Sequence, residues 1–189
     1  MISSKIRFFD IFISSIMLVI FSPIILIISF FLLVVDGRPI IYKQIRIGYN
    51  GKKFIIFKFR TMKQYSIKDE ELRLTYFGKI LRKSSLDELP QLFNVLIKDM
   101  SMVGPRPLPE EIEKKISNAN KVKRRKVLPG ITGMSQINYT GKKRKLDNKV
   151  NLDIKFINNY SLYNYFYILL KTPIIILYRF FNNKSSIIK

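Results

Sequence analysis

The chain has 189 residues, a length that suits one domain. Its 34 Lys and Arg against 13 Asp and Glu give a formal charge of +21, yet 48% of the residues are apolar, which excludes a disordered basic tail. It contains no Cys and no His. That excludes thiol nucleophiles, disulfides, imidazole acid–base chemistry and most zinc sites, and it suits a reducing compartment. Any chemistry must come from carboxylates, Arg, Lys, hydroxyls and amides.

The first element is apolar. Ile11 to Val35 carries no charge and is long enough as a helix, about 37 Å, to cross a hydrocarbon core. It is long for the apolar core of a signal sequence, and Asp36-Gly37-Arg38-Pro39 is no small-residue cleavage site. Two features set it apart from a plain span. Ser22-Pro23 near its middle predicts a break or bend. Lys5 and Arg7 precede it while Arg38, Lys43, Arg46, Lys52 and Lys53 follow, so both flanks ask for the cytoplasmic side. A helix that enters and leaves by one leaflet satisfies both flanks; on topology alone a span with a tolerated Pro satisfies the length equally well.

Residues 39 to 60 read as a β-hairpin, with β-prone runs at 40–45 and 54–59 around the turn signal Asn50-Gly51. Lys68 to Lys83 reads as a helix with Leu72, Tyr76, Ile80 and Leu81 on one side. Leu89, Leu92, Phe93, Leu96 and Ile97 predict a second helix. Val103 to Pro109 is a proline-stiffened loop, and Pro109 to Lys126 a helix with an acidic start and a basic end, as the helix dipole favours. Residues 129–133 form a turn cluster and Lys142 to Lys149 an exposed loop. Tyr160 to Phe181 is aromatic and aliphatic but interrupted by Lys171, Pro173 and Arg179. It suits an interfacial segment with snorkelling cations; a helix buried in the core is the other reading.

The carboxylates are few. Asp69, Glu70, Glu71, Glu110, Glu111 and Glu113 sit among charged residues and read as solvated helix faces. Asp87-Glu88 differs, because Pro90 is tolerated only in a first helical turn, which puts Asp87 at or near the N-cap and Glu88 just inside. A capping box of Ser85 with Glu88 explains this spacing. So does chemistry: a carboxylate at a helix start stays ionised, and two acidic side chains are the right type for Mg²⁺. Lys121, Lys123, Arg124, Arg125 and Lys126, and the run 142–145, are surface clusters suited to anionic headgroups or to nucleic acid. Arg60, Arg82 and Arg106 are more singular. Arg106 stands between Pro105 and Pro107, which fix where a guanidinium points, and three Arg beside an acidic pair suggest a site for a phosphate ester and a metal.

Four blocks appear in order: 58–62 (Lys-Phe-Arg-Thr-Met), 85–96 (Ser-Leu-Asp-Glu-Leu-Pro-Gln-Leu-Phe-Asn-Val-Leu), 99–107 (Asp-Met-Ser-Met-Val-Gly-Pro-Arg-Pro) and 129–133 (Pro-Gly-Ile-Thr-Gly). Together they resemble the bacterial sugar transferases, the monotopic polyprenyl-phosphate phosphoglycosyl transferases, in their minimal catalytic form, over Lys5 to about Thr172. The resemblance implies an α+β, mainly helical enzyme. Its re-entrant membrane helix over residues 1–36 is broken at Ser22-Pro23, a cytoplasmic catalytic domain with a small hairpin covers 37–160, and an interfacial amphipathic tail covers 161–189. It implies attachment to the cytoplasmic face of the bacterial inner membrane, with membrane lipids, a UDP-sugar and polyprenyl (undecaprenyl) phosphate as partners, Mg²⁺ as cofactor, and no nucleic acid; an oligomer is compatible with it.

The implied reaction initiates surface polysaccharide or glycoconjugate synthesis. Asp87 would attack the β-phosphate, release UMP and carry the phosphosugar until polyprenyl phosphate takes it. Glu88 would partner Asp87 on the metal, while Arg60, Arg82 and Arg106, with Pro105 and Pro107, would hold phosphates and nucleotide. The sequence departs from the family pattern at Ile6-Arg7, where a Lys-Arg pair is usual, at Met134, where an aromatic residue is usual, and at 164–167 (Asn-Tyr-Phe-Tyr), which replaces a Leu-Asp-Leu-Lys stretch.

Overall fold

The computed structural model describes residues 3–63, 74–138 and 145–182. The chain is mainly helical, with a two-stranded antiparallel hairpin and a short parallel strand pair. Asp69, Glu70, Glu71, Leu72 and the basic residues 142–144 lie outside the described residues.

Helix α1 spans Ser4–Phe31 and passes into a π-helical turn, Leu32–Asp36. It is apolar because it has two different surroundings. Ile6, Asp10 and Ser14, each one turn from the next, are buried against the body of the protein, and so are Ile28 and Leu32 at the far end. Between Ser14 and Ile28 nothing is buried; Val19 is 74% exposed and Leu26 70%. The helix does not end at Ser22-Pro23. Pro23 has no N–H for the carbonyl of Val19, and the Ser22 hydroxyl donates to that carbonyl instead, at 2.8 Å. The side chain next to the proline therefore makes good the lost bond on a stretch whose surface is apolar and exposed.

Both ends of α1 are tied to the same body. At the N-terminal end, Arg7 donates to the carbonyls of Val95 and Leu96 at 2.7 and 2.9 Å. Asp10 Oδ1 accepts from Ser101 Oγ, Met102 N and Tyr165 OH at 2.8–2.9 Å. At the other end, Ile28 and Leu32 pack with Phe59 and Leu81 in a small core of their own. The Arg60 guanidinium donates to the carbonyls of Arg38 and Gly37 at 3.1 and 2.8 Å, and to that of Asp36.

The hairpin forms as expected, with β1 at Ile41–Ile47 and β2 at Lys53–Phe59. Asn50 and Gly51 take φ of 52° and 77°, conformations that Asn and Gly adopt most readily. Arg46 lies opposite Phe54, Gln44 opposite Ile56 and Tyr42 opposite Lys58, so these six share one face. Phe54 and Ile56 are buried, so that face looks inward.

Helix α2 covers Tyr76–Ser84 and starts later than predicted, because Leu74 bridges to Met62 and Thr75 is the N-cap, its hydroxyl accepting from Gly78 N at 2.9 Å. Leu81 is buried, whereas Tyr76 and Ile80 are exposed instead of sharing its side. A single turn of 3₁₀ helix, Leu86–Glu88, precedes α3, Gln91–Leu96. Leu92 and Val95 of α3 enter the main core; Phe93 and Ile97 face outward. Asn94, fully buried, donates to Ile55 O at 2.7 Å and accepts from Phe57 N at 3.1 Å. An amide with one donor and one acceptor end thus docks α3 on the free edge of β2.

C-terminal to α3 the structure departs from three sequence expectations. The cluster at 129–133 is not only a turn: Gly130–Thr132 is a strand, β4, parallel to β3, Ser101–Val103. A Cβ on Gly130 would lie 2.0 Å from Gly104 N, so only glycine permits the two chains to approach. The single helix expected over 109–126 is two, α4 at Glu110–Lys114 and α5 at Asn118–Arg124, divided where Ile116 turns into the interior. The expected loop 142–149 is helical from Leu146 onward: after the short α6, Met134–Ile137, helix α7 spans Leu146–Asn158 because Val150, Asp153 and Phe156 face inward.

Helix α8, Leu162–Phe181, fits both readings of the tail. Tyr165 and Ile168 are fully buried in the main core, while Tyr163, Leu170, Ile174, Leu177 and Phe181 present an exposed apolar face.

Candidate active site

Asp87 and Glu88 occupy the single 3₁₀ turn between α2 and α3. This differs from the expected N-cap arrangement. Ser85 is left-handed (φ 59°) and its side chain caps nothing, so no capping box forms, and Pro90 occupies the N-cap position of α3. Leu86 packs into the core beside Phe59 and Leu81, which leaves the next two side chains to face the gap between hairpin and proline loop.

Glu88 is the fixed member. Its Oε1 accepts from Lys58 Nζ at 2.7 Å and from Arg106 Nη2 at 2.6 Å. Burial alone would raise its pKa, but the charges of Arg106 and Lys58 and their hydrogen bonds overcome this and hold it at about 2. Asp87 is buried too, yet no hydrogen bond holds its carboxylate among the described residues. Burial and then the negative charge of Glu88 push its pKa up to about 6, against the opposing pull of Lys58, Arg106 and Arg82. The two neighbours are thereby separated: one carboxylate is ionised and paired, while the other has no hydrogen-bond partner among the described residues and ionises near neutrality.

Of the predicted phosphate-binding residues, the structure brings Arg82 and Arg106 to the dyad. Arg82, in the last turn of α2, is steadied by its Nε donating to Thr61 Oγ1 at 2.9 Å. Arg106 is 45% exposed and reaches Glu88 from the loop held by Pro105 and Pro107. Its backbone carbonyl accepts from Arg124 Nη2 at 2.7 Å, and Arg124 is paired with buried Asp153 at 3.1 Å. Arg60 is placed otherwise. It is buried and engaged with the carbonyls at the exit of α1, where it fastens the membrane segment to the hairpin, and makes no contact with the dyad.

Lys58 was not singled out in the sequence. Its signal was there: it continues the buried face of β2 set by Phe54 and Ile56, a position where Lys is unusual. Two of the supposed surface charges are also inside. Glu113 is buried and pairs with Arg125 at 3.1 Å, and Arg124 is buried with Asp153. The basic cluster at 121–126 is therefore partly internal structure, which weakens the case for a nucleic-acid surface.

No group of three or more metal-type ligands occurs among the described residues. The dyad alone fits Mg²⁺, which takes one or two carboxylates and completes its shell with water and substrate phosphates. Lys58 and Arg106 both use Oε1 of Glu88, so its second oxygen and the Asp87 carboxylate are those left to a metal.

The sequence profile of the bacterial sugar transferase family matches residues 3–179. The chain is 36% identical over 95% of its length to a UDP-glucose:undecaprenyl-phosphate glucose-1-phosphate transferase of Klebsiella pneumoniae, covering 41% of that protein. It is 36% identical over 92% of its length to an undecaprenyl-phosphate galactose phosphotransferase of Salmonella typhimurium, covering 40% of it. An uncharacterized sugar transferase of Bacillus subtilis is 41% identical over 67% of the chain and 64% of its own length. The chain thus spans less than two thirds of each of these relatives.

The split dyad has a consequence for stability. The folded state holds the Asp87 proton more tightly than the unfolded chain does, so this group's contribution falls as pH rises from the ordinary value of 3.8 through about 6. Glu88 acts oppositely: its contribution is present above the ordinary 4.5 and is lost as pH falls through about 2. Asp87→Asn should therefore match wild type in thermal stability near pH 4 and exceed it at pH 8, by roughly 1–3 kcal/mol. Equal stability of the two proteins at both pH values would contradict the burial of a charge at Asp87.

Proposed function

The chain belongs to the bacterial sugar transferase family, and from that premise we propose that it transfers a sugar 1-phosphate from a UDP-sugar to polyprenyl phosphate and releases UMP. The observation that carries this reading is the unequal dyad: a buried Asp87, without a hydrogen-bond partner among the described residues, beside a Glu88 pinned by two cations.

Ionised Asp87 suits attack on phosphorus. One of its carboxylate oxygens forms a bond to the β-phosphorus, the bond from that phosphorus to the bridging oxygen breaks, and the electron pair leaves on the phosphate of UMP. The phosphosugar is then held on Asp87 as an acyl phosphate. An oxygen of polyprenyl phosphate attacks the same phosphorus, the Asp87–phosphorus bond breaks, and the carboxylate is regenerated. Arg82, Arg106 and Lys58 are placed to hold the oxygens that gather charge in both halves. Bound Mg²⁺, held by Asp87 and Glu88, would neutralise phosphate charge. Arg60 contributes by position, fixing the strand that carries Lys58 to the exit of α1.

The same reading makes the chain monotopic, with α1 entering and leaving one leaflet at the cytoplasmic face of the inner membrane. It is supported by the ties at both ends of α1 to one body, through Arg7 and Asp10 at one end and Leu32 and Asp36 at the other, with the apolar middle exposed. A helix crossing the membrane would separate those ends by the thickness of the bilayer. A soluble donor and a lipid acceptor can both reach a dyad that lies on the leaflet.

Two measurements check these statements. In purified protein with Mg²⁺, polyprenyl phosphate and a panel of UDP-sugars, Asp87→Asn should reduce UMP release at least about a thousandfold, as loss of a nucleophile does, while membrane association survives; undiminished release would refute the reaction. With no native cysteine to interfere, single cysteines at Ser3 and Arg38 should both label from the cytoplasmic side, and labelling from opposite sides would refute the topology.

A further inference from the structure

Behind the dyad lies a small cavity lined by Arg46, Ile56, Lys58, Gln91, Arg106 and Pro107. Its walls come from the inward face of the hairpin, the first turn of α3 and the proline loop. Two buried donors open on it without a partner, Gln91 Nε2 and Arg46 Nε. Gln91 is 2% exposed. Two of the other four Arg46 N–H groups are in use: Nη2 donates to Gln44 Oε1 at 2.5 Å and Nη1 to Pro107 O at 3.4 Å.

A buried donor left without a partner is costly, and here two belong to side chains that line one cavity. Charge points the same way. Arg46, Lys58 and Arg106 lie near two acids, Glu88 and Asp87, so the surroundings of the cavity keep one cation in excess even when both acids are ionised. Burial, and after it the nearby charge of Arg106, lowers the pKa of Arg46. Unpartnered donors and net positive charge together suit an anion with several acceptor oxygens.

We infer that Arg46 and Gln91 form a second phosphate subsite, next to Glu88, which receives the phosphate that leaves with the nucleotide. This rests on the reaction proposed above. A phosphate monoester is common to UMP and to the polyprenyl acceptor, and the surroundings favour the nucleotide. The cavity shares Arg106 and Pro107 with a second hollow, lined also by Gly48, Glu113, Arg124 and Arg125. That continuation has a mixed lining, with Ile47, Val127 and three prolines beside Glu113, Arg124 and Arg125, which suits a base and ribose, and its charged groups disfavour a prenyl chain. When the bridging bond breaks, the departing phosphate gains a negative charge, and Arg46 and Gln91 are placed to stabilise it there. Arg46 was read in the sequence only as a basic flank of the membrane helix, and Gln91 only as part of a motif block.

The test uses the full-length protein in detergent, with UMP and uridine binding measured by calorimetry and donor and acceptor kinetics measured separately. Arg46→Met should weaken UMP binding at least about tenfold, as loss of a charged phosphate contact does, and lower kcat, leaving uridine binding and the KM for polyprenyl phosphate within twofold. Gln91→Leu guards against misfolding, because replacing an unpartnered buried amide by an apolar side chain of like size keeps or raises thermal stability. It should still weaken UMP about three- to tenfold. Unchanged UMP affinity in a folded Gln91→Leu protein, or a rise in the KM for polyprenyl phosphate in place of the UMP effect, would overturn the assignment. The outcome is separable from the reaction itself: if wild type releases UMP from a UDP-sugar while both variants bind UMP normally, the subsite fails and the transferase reading stands. If wild type releases none, the transferase reading fails.

Discussion

One carboxylate oxygen organises the site. Glu88 Oε1 takes a proton donor from Lys58, on β2, and another from Arg106, on the loop after β3, at 2.7 and 2.6 Å. The hairpin and that loop also meet directly, through Ile47 N donating to Leu108 O at 3.3 Å. With Glu88 only 16% exposed, the interactions are strong enough to keep it ionised despite burial. Its negative charge then acts on the adjacent residue, and Asp87 is left as the group whose ionisation is costly and whose oxygens are unclaimed. Division of labour between two neighbouring acids follows from where two cations were placed, and requires no difference in the acids themselves.

The apolar helix α1 is part of the same construction. Arg60 fastens the exit of α1 to the end of β2, two residues beyond Lys58. Asp10, near the entrance, fastens α1 to β3, which leads directly into the loop carrying Arg106. The two cations on Glu88 therefore stand on segments that are each bonded to one end of α1. Seating of the apolar segment and geometry of the dyad are coupled through short, buried connections. The Ser22–Val19 hydrogen bond belongs to this logic as well, since it allows an uncharged helix to carry a proline among exposed apolar side chains without an orphaned carbonyl.

Much of this was legible in the residues. The hairpin followed from Asn50-Gly51 between β-prone runs, and Pro90 just after two acids singled those acids out, although they occupy a 3₁₀ turn ahead of the helix and not its N-cap. What stayed hidden depended on long-range packing. Arg60 and Arg106 look alike in sequence, but one meets backbone carbonyls and the other a carboxylate, and no local pattern distinguishes them. The parallel pairing of Gly130–Thr132 with Ser101–Val103 joins residues far apart in the chain, so those glycines read as a turn. Arg124 and Glu113 looked solvated because their partners, Asp153 and Arg125, are supplied by other helices or turns. Lys58 was the one omission with a local clue, its place on an inward strand face.

The central claim is that Asp87 carries the phosphosugar between the two substrates. Trapping tests it most directly: protein mixed with a radiolabelled UDP-sugar and Mg²⁺, without acceptor, is quenched and digested, and its peptides are weighed. The account predicts a burst of UMP approaching one per active site and one sugar phosphate attached to the peptide containing Asp87, discharged on adding polyprenyl phosphate. A protein that makes product only when both substrates are present, with no label on any peptide at any time, would contradict it.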